Sequence, residues 1–436
     1  MIPAAPAKPQ LVRALGRWTM IALVLNGIVG SGIFALPANV TRLLGGTALW
    51  GYLGAALAMA AIVAVVAELS SQFREAGGPY LYARTALGRF AGVQAGWFLW
   101  LMRLTAAASV ADVFVIYLGE FWPGATAPLV RAAILTTLFG TLAAINYRGV
   151  RGGAVISNVV TVAKLATLGV FIAAGLWWLT TRAGPAPTAA AVVADASIPA
   201  AKWIEALVLL VFAYGGFEAA LIPGGEMKNP RRDLPLALLS GLATVAVGYA
   251  LIHFLAAAAL PDLAASKRPL ADAARVFAGP AGATVIAIGA MLSILGWLAA
   301  QLLSAPRLTF ALAERGDFPA PFARVHPRFA TPHVSIVVWA ALALALAIQG
   351  NFVWNAVLSV AARLVIYALS GAALLALRRR DPAADAWRAP AGNLLAWFAI
   401  AFGALLVSRM GRDHAIIVAG VGLAAAGNWL AVRGRA

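Results

Sequence analysis

The stretch Asn26-Gly27-Ile28-Val29-Gly30-Ser31-Gly32-Ile33-Phe34 interrupts an apolar run that extends over 18–43, and Pro37 follows it. Glycine disfavours helix by about 1 kcal/mol relative to alanine, so two glycines around Ser31 make local unwinding easy. Unwound backbone inside lipid is tolerated only where it lines a cavity. A matching interruption, Tyr214-Gly215-Gly216 followed by Pro223, lies in the apolar run over 203–227. Gly30-Ser31-Gly32 alone reads equally well as close helix packing through small residues. The paired break shifts the reading, because interrupted helices at corresponding places of two halves mark a mid-membrane binding site. Gly88, Gly92 and Gly96, repeating every four residues, read instead as packing positions.

Composition agrees with lipid as the solvent. Of the 436 residues, 62% are hydrophobic and only 11% charged, against about 25% charged in soluble domains; the mean hydropathy is +0.87. Apolar runs bounded by charge or Gly/Pro clusters fall near 18–43, 47–70, 88–118, 128–146, 154–180, 203–227, 235–258, 281–312, 332–349, 354–377, 393–410 and 414–432. The expected fold is therefore an all-α integral membrane protein of about twelve helices, since open strand edges do not survive in lipid. The expected segments are 1–17, a cytoplasmic N-terminal segment; 18–180, helices one to five; 203–377, helices six to ten; and 393–432, helices eleven and twelve. Two sets of five helices are inverted relative to each other, because five is odd. The first apolar run follows Lys8, Arg13 and Arg17 like a signal peptide, but it has no convincing cleavage site and is expected to be retained.

The net charge of +17 would suggest nucleic acid in a soluble protein. Here Lys and Arg concentrate in the loops on the side of the N-terminus, which places both termini in the cytoplasm. Arg378-Arg379-Arg380-Asp381-Pro382 is a charged linker on that side. The composition fits a bacterial inner membrane. No nucleic-acid partner is expected. Cysteine is absent, and His253, His326, His333 and His414 have no metal-ligand spacing. No metal, no prosthetic group and no enzymatic nucleophile is expected. Trp177, Trp178, Trp203 and Trp429 lie near span ends, where aromatic rings anchor at the lipid interface.

A broken helix offers both halves of an amino acid a partner. The N-terminus of its second part presents free N–H groups and partial positive charge to a carboxylate. The carbonyls that end its first part accept from an ammonium.

These residues resemble the amino acid–polyamine–organocation superfamily of transporters. The likeness rests on 26–34, on Glu75-Ala76-Gly77-Gly78-Pro79-Tyr80, on Phe212-Ala213-Tyr214-Gly215-Gly216-Phe217-Glu218, and on Glu226-Met227-Lys228-Asn229-Pro230 with Asp233-Leu234-Pro235. Ser304-Ala305-Pro306-Arg307 and Gly316-Asp317-Phe318-Pro319 continue it toward the C-terminus. The resemblance implies five-plus-five inverted repeats with broken helices one and six, and two extra C-terminal helices. It implies a substrate carboxylate on the N–H groups of Ser31 and Gly32, beside Gly30. It implies an ammonium on carbonyls from Asn26 through Ile28 to Val29 and from Phe212 through Ala213 to Tyr214, beside Gly215. Phe212 and Tyr214 would help to close the pocket. Cargo in the superfamily includes amino acids and polyamines, and inorganic ions travel through the same fold.

Charges within spans are functional candidates by default. Lys164 lies ten residues into its run, about 15 Å deep at 1.5 Å per residue, near the middle of a roughly 30 Å core. Burial disfavours the charged form of an amine, so Lys164 is a candidate proton carrier; some proton-coupled members of the superfamily resemble it there. The alternative is a lysine in a static ion pair or one that statically caps carbonyls. Glu218, just past the second break, meets a cationic cargo, as the resemblance to arginine-exchanging relatives implies, carries a proton, or pairs internally with Arg103 or Arg363. Arg103 and Asp112 are nine positions apart, about 180° around one helix, so each should find a partner on another span. Arg103, Asp112 and Arg363 form the expected buried charge network. Glu68, Arg74 and Glu75, and Glu226, Lys228, Arg231, Arg232 and Asp233, read first as solvated loop charges that set topology, and otherwise as an ion-paired inner gate. Together these features point to proton-coupled secondary transport of an amino acid or related amine; exchange without protons, or ion cotransport, is the alternative.

Overall fold

The computed structural model describes residues 16–73, 77–149, 153–181, 198–226, 229–381 and 386–432, and these are almost wholly helical. The first apolar run forms two helices, α1 (Arg17–Ile28) and α2 (Gly32–Leu44), joined through three non-helical residues. There follow α3 (Ala48–Gln72), α4 (Gly78–Leu87), α5 (Arg89–Leu118), α6 (Pro128–Arg148) and α7 (Gly153–Thr181). The run with the second break forms α8 (Ala200–Tyr214) and a 3-10 stretch, Phe217–Glu226. The chain continues through α9 (Pro230–Ala259), α10 (Pro269–Glu314), α11 (His333–Gln349), α12 (Phe352–Arg380), α13 (Gly392–Ser408) and α14 (Arg412–Val432).

Among the described residues, nine helical segments are long and apolar enough to cross a membrane, and α1, α11 and α13 are shorter apolar helices. The peripheral helices show what surrounds them. The apolar stretches of α6 and α14 are only 11% buried, and Leu129 and Leu423 stand 87% and 73% exposed. Such surface is stable only against hydrocarbon. The core lies between α1, α3, α5, α8, α10 and α12, where side chains such as Tyr52, Tyr214 and Tyr367 are fully enclosed.

Two elements differ from the sequence reading. The segment before residue 88 forms α4, with Pro79 in its first turn, where the missing N–H costs nothing. Gly88 is then the corner between α4 and α5, at φ +93° with open space around it, and is not a packing glycine. Gly92 and Gly96 do pack closely, against Arg84 and Leu312. Pro269–Glu314 is two helices meeting at a kink, since Ala278 and Gly279 leave helical geometry (φ of Gly279 is +68°); the second starts at Pro280, beside the expected 281, and the short first one lies where a connection was expected.

The helices alternate between two ends. One end joins residues 71, 84–89, 147, 317–331, 387 and 432, through bonds such as Thr331 Oγ1 to the Tyr147 carbonyl (2.8 Å) and Ser71 Oγ to that of Trp387 (3.3 Å). The opposite end joins 42, 112, 131, 264 and 347–352, for example through Arg42 Nη2 to the Ala264 carbonyl (2.8 Å).

The two breaks meet at mid-height. A Cβ on Gly27 would lie 2.5 Å from the Gly216 carbonyl oxygen, and one on Gly216 would overlap the Gly27 carbonyl. Gly216 also holds φ +109°, a region that suits glycine. Gly216→Ala is expected to destabilise the protein by roughly 2–5 kcal/mol, from backbone strain plus overpacking. Gly140→Ala, in open space on α6, should leave stability level or slightly raised. Thermal unfolding of both variants in detergent checks the pair.

Candidate functional site

α1 ends where Val29 leaves helical geometry (φ −70°, ψ 90°), with its N–H still bonded to the Leu25 carbonyl at 2.9 Å. Ser31 caps α2. The opening N–H groups of a helix have no intrahelical partner, and they carry the positive end of its dipole. Ser31 Oγ is buried beside them with no hydrogen-bond partner. Gly32 permits close approach to α8, since a Cβ there would lie 3.1 Å from Cα of Ala213. Ala213 and Tyr214 end α8, so their carbonyls also lack the usual helical donors.

The carbonyls at the end of α1 already have donors. Lys164, buried on α7, places Nζ 2.6 Å from the Asn26 carbonyl oxygen and 2.8 Å from that of Val29. Tyr249 on α9 donates its hydroxyl to the Ile28 carbonyl at 3.2 Å. A bound ammonium therefore finds the carbonyls of α8 less engaged than those of α1. Phe212 packs edge-on against Phe352, with ring centroids 5.9 Å apart. Tyr214 turns away into the scaffold, its hydroxyl donating to the Tyr52 carbonyl at 3.2 Å and its ring against Tyr249.

Glu218 lies beyond the second break and is satisfied internally. Its Oε2 accepts the Gly216 N–H at 2.8 Å, and its Oε1 accepts the Tyr367 hydroxyl at 2.6 Å. Arg363 Nη1 stands 3.5 Å from Oε1. The Arg363 guanidinium occupies the space that a side chain at Gly215 would need. Sequence spacing does not single out Tyr367, although it lies one turn after Arg363 on the same face of α12.

The expected network of Arg103, Asp112 and Arg363 is divided in space. Asp112 belongs to the opposite end, where Oδ1 accepts from Arg131 Nε at 2.9 Å and Oδ2 from the Phe352 N–H at 2.8 Å. The reason is helical geometry, since nine residues carry Asp112 to the other face of α5 and more than two turns along it. Arg103 donates Nη1 to Ser304 Oγ at 3.1 Å.

Of the gate candidates, Glu68 binds Arg378 through two bonds of 2.7 Å and accepts the Ala389 N–H at 2.8 Å. Arg74, Glu75 and Lys228 lie outside the described residues, as does the side chain of Glu226.

Cavities approach the crossing from both ends. One of about 400 Å³ is lined by Tyr80, Arg103, Glu218, Ser304, Arg307 and Arg315. Two of about 540 and 590 Å³ lie at the opposite end and share Asn39 and Arg42. A pocket of about 120 Å³ sits against Asn26 and Gly27 of α1 and Trp297, Gln301 and Ser304 of α10. Trp297 also faces Gly30. Of these α10 residues, sequence reasoning reaches only Ser304, within the run Ser304-Ala305-Pro306-Arg307, and misses Trp297 and Gln301.

The chain matches the amino acid permease family over residues 15–430. It belongs to that family. The permease is therefore a multi-pass membrane protein that transports amino acids, not an enzyme, within the amino acid–polyamine–organocation superfamily. It is similar to the serine/threonine exchanger SteT of Bacillus subtilis, at 29% identity over 385 residues, 85% of this chain and 84% of that one. It is also similar to uncharacterized transporters of Mycobacterium bovis and Mycobacterium tuberculosis, at 31% identity over 427 residues, 96% of this chain and 91% of each.

The pairing in the permease of Glu218 with Arg363 is open to a double-mutant cycle. Breaking one side of a buried pair costs about 3–5 kcal/mol. Arg363→Met alone should melt well below the parent, and Glu218→Gln with Arg363→Met should recover part of the loss. Melting of the purified proteins in detergent reads this directly.

Proposed function

We propose that the permease carries a zwitterionic α-amino acid, or a related amine, by alternating access across a bacterial inner membrane, without sodium and with coupling to protons. Twelve spans are proposed, with 18–180 and 203–377 as inverted repeats of five helices, 393–432 as two further helices, and both termini cytoplasmic. The substrate carboxylate lies on the N–H groups of Ser31 and Gly32, and its ammonium on the carbonyls of Ala213 and Tyr214. Access alternates as the helices carrying the breaks rock against the rest. The cavities on both sides of one packed crossing support that cycle.

The observation that carries the coupling is the bond of Lys164 Nζ to the Asn26 and Val29 carbonyls. An ammonium there stands where a bound cation would otherwise have to satisfy the broken end of α1. Its proton is held by the break itself, so releasing it changes the stability of the unwound segment on which the substrate sits. The second reading is exchange of one amino acid for another, with Lys164 a static cap. Similarity to a serine/threonine exchanger favours it.

Uptake into proteoliposomes separates the two. Radiolabelled amino acids are offered with and without an inward proton gradient, and to vesicles preloaded with unlabelled substrate. Under the first reading, uptake rises with the gradient, and Lys164→Ala lowers it by roughly tenfold or more, the worth of a charge-assisted hydrogen bond. Uptake only into preloaded vesicles, indifferent to the gradient, establishes exchange. Full uptake by Lys164→Ala with the parent's pH dependence removes the lysine from the coupling.

A further inference from the structure

Among the described residues, basic side chains outnumber acids along the cavity of about 400 Å³ beside the second break. Arg103, Arg307 and Arg315 line it, against a single carboxylate, Glu218. Glu218 is already engaged by Arg363, Tyr367 and the Gly216 N–H. Arg307 reaches only the Asn146 amide oxygen, at 3.4 Å, and Arg315 lies over the Tyr80 ring at 5.9 Å. Among the described residues, no carboxylate comes within ion-pair distance of any of the three.

Arg103 is the most telling of them. It is 6% exposed, its Nε is buried with no hydrogen-bond partner, and its one hydrogen bond among the described residues is to Ser304 Oγ. A buried guanidinium facing a cavity with no carboxylate in direct contact is costly in a membrane interior. A protein that keeps one there leaves an acceptor position for something that arrives. Ser304 links the two spaces, since it lines both the large cavity and the small pocket against Asn26 and Gly27. Arg103 and the last turn of α1 therefore border two spaces that meet at one side chain.

We propose that Arg103 is the specificity-determining residue of the permease, and that the preferred substrate is an α-amino acid whose side chain ends in a carboxylate. The fixed fork of a guanidinium matches a carboxylate in two parallel bonds. The backbone breaks hold the α-carboxylate and ammonium common to every amino acid, and Arg103 with Ser304 reads what is left. Arg307 and Arg315 extend the positive field toward the mouth of the cavity, raising the local concentration of an anion. Glu218 has no spare oxygen facing a cationic cargo, which fits an anionic side chain and not a basic one.

The inference rests on the reading of the breaks as an amino acid site, and its test keeps the two apart. Purified permease in proteoliposomes is loaded with a mixture of amino acids, and uptake of a labelled substrate is competed with unlabelled aspartate, glutamate, serine, leucine and arginine. Aspartate or glutamate should compete at the lowest concentration. Arg103→Gln should raise the concentration needed for the acid by about tenfold or more while moving that for serine far less; Arg103→Lys, which keeps charge but loses the fork, should fall between. Stabilisation of the detergent-solubilised parent against heat by glutamate in preference to serine gives a second reading that needs no folded variant. Stronger competition by serine or leucine than by either acid in the parent overturns the proposal and leaves amino acid transport intact, as does an equal shift for glutamate and serine in Arg103→Gln. Absence of uptake, competition and thermal stabilisation with every amino acid overturns both.

Discussion

The contact between Gly27 and Gly216 is the constraint on which the centre of this permease depends. The last turn of α1 and the unwound backbone at Gly216 touch there without a side chain between them. Each brings peptide groups into an apolar interior, where an unpaired polar group costs several kcal/mol. The surroundings can be understood as answers to that cost. Lys164 and Tyr249 donate to the end of α1, Glu218 accepts the Gly216 N–H, and Arg363 fills the space left by Gly215. Ser31 Oγ is left without a partner, and so are the opening N–H groups that any helix presents. These are the groups that a carboxylate would satisfy.

Charge is distributed by a consistent rule. Toward the ends, buried acids are tied to arginines on distant helices. Glu68 joins α3 to α12, and Asp112 joins α5 to α6 and α12. Asp317 accepts from Tyr80, Arg84 and Arg89, fastening the loop after α10 to α4 and α5. Glu120 does the same for Arg268 and Arg275 at the opposite end. Near the crossing, Glu218 meets Arg363, the breaks are held mainly by hydrogen bonds to backbone, and Arg103 has no carboxylate within ion-pair distance among the described residues. Paired charge fastens both ends.

Much of this was legible in the chain. The breaks could be read because glycine pairs that recur at matching places in two apolar runs point to unwinding, where a single pair would point equally to close packing. Lys164 stood out because an amine at mid-span is rare. Other features were hidden for physical reasons. The short helix α4 follows Pro79 but is too brief for a periodic pattern. Gly88 shares the spacing of Gly92 and Gly96, and only its φ of +93° shows it to be a corner. Trp297 and Gln301 sit in an apolar helix with nothing local to distinguish them from lipid-facing neighbours.

The sequence by itself determined that the chain lives in lipid, that it is helical, and that two helices break where a zwitterion could be held. Those properties follow from hydropathy, from backbone hydrogen bonding and from the conformational freedom of glycine, all of which act locally. Only the tertiary structure decided which charge meets which. Glu218 pairs with Arg363 and not with Arg103, Asp112 is taken by Arg131, and Lys164 reaches a helix 138 residues away in sequence. Pairing depends on how helices rotate and cross, and a single chain read in one dimension carries no record of which faces meet.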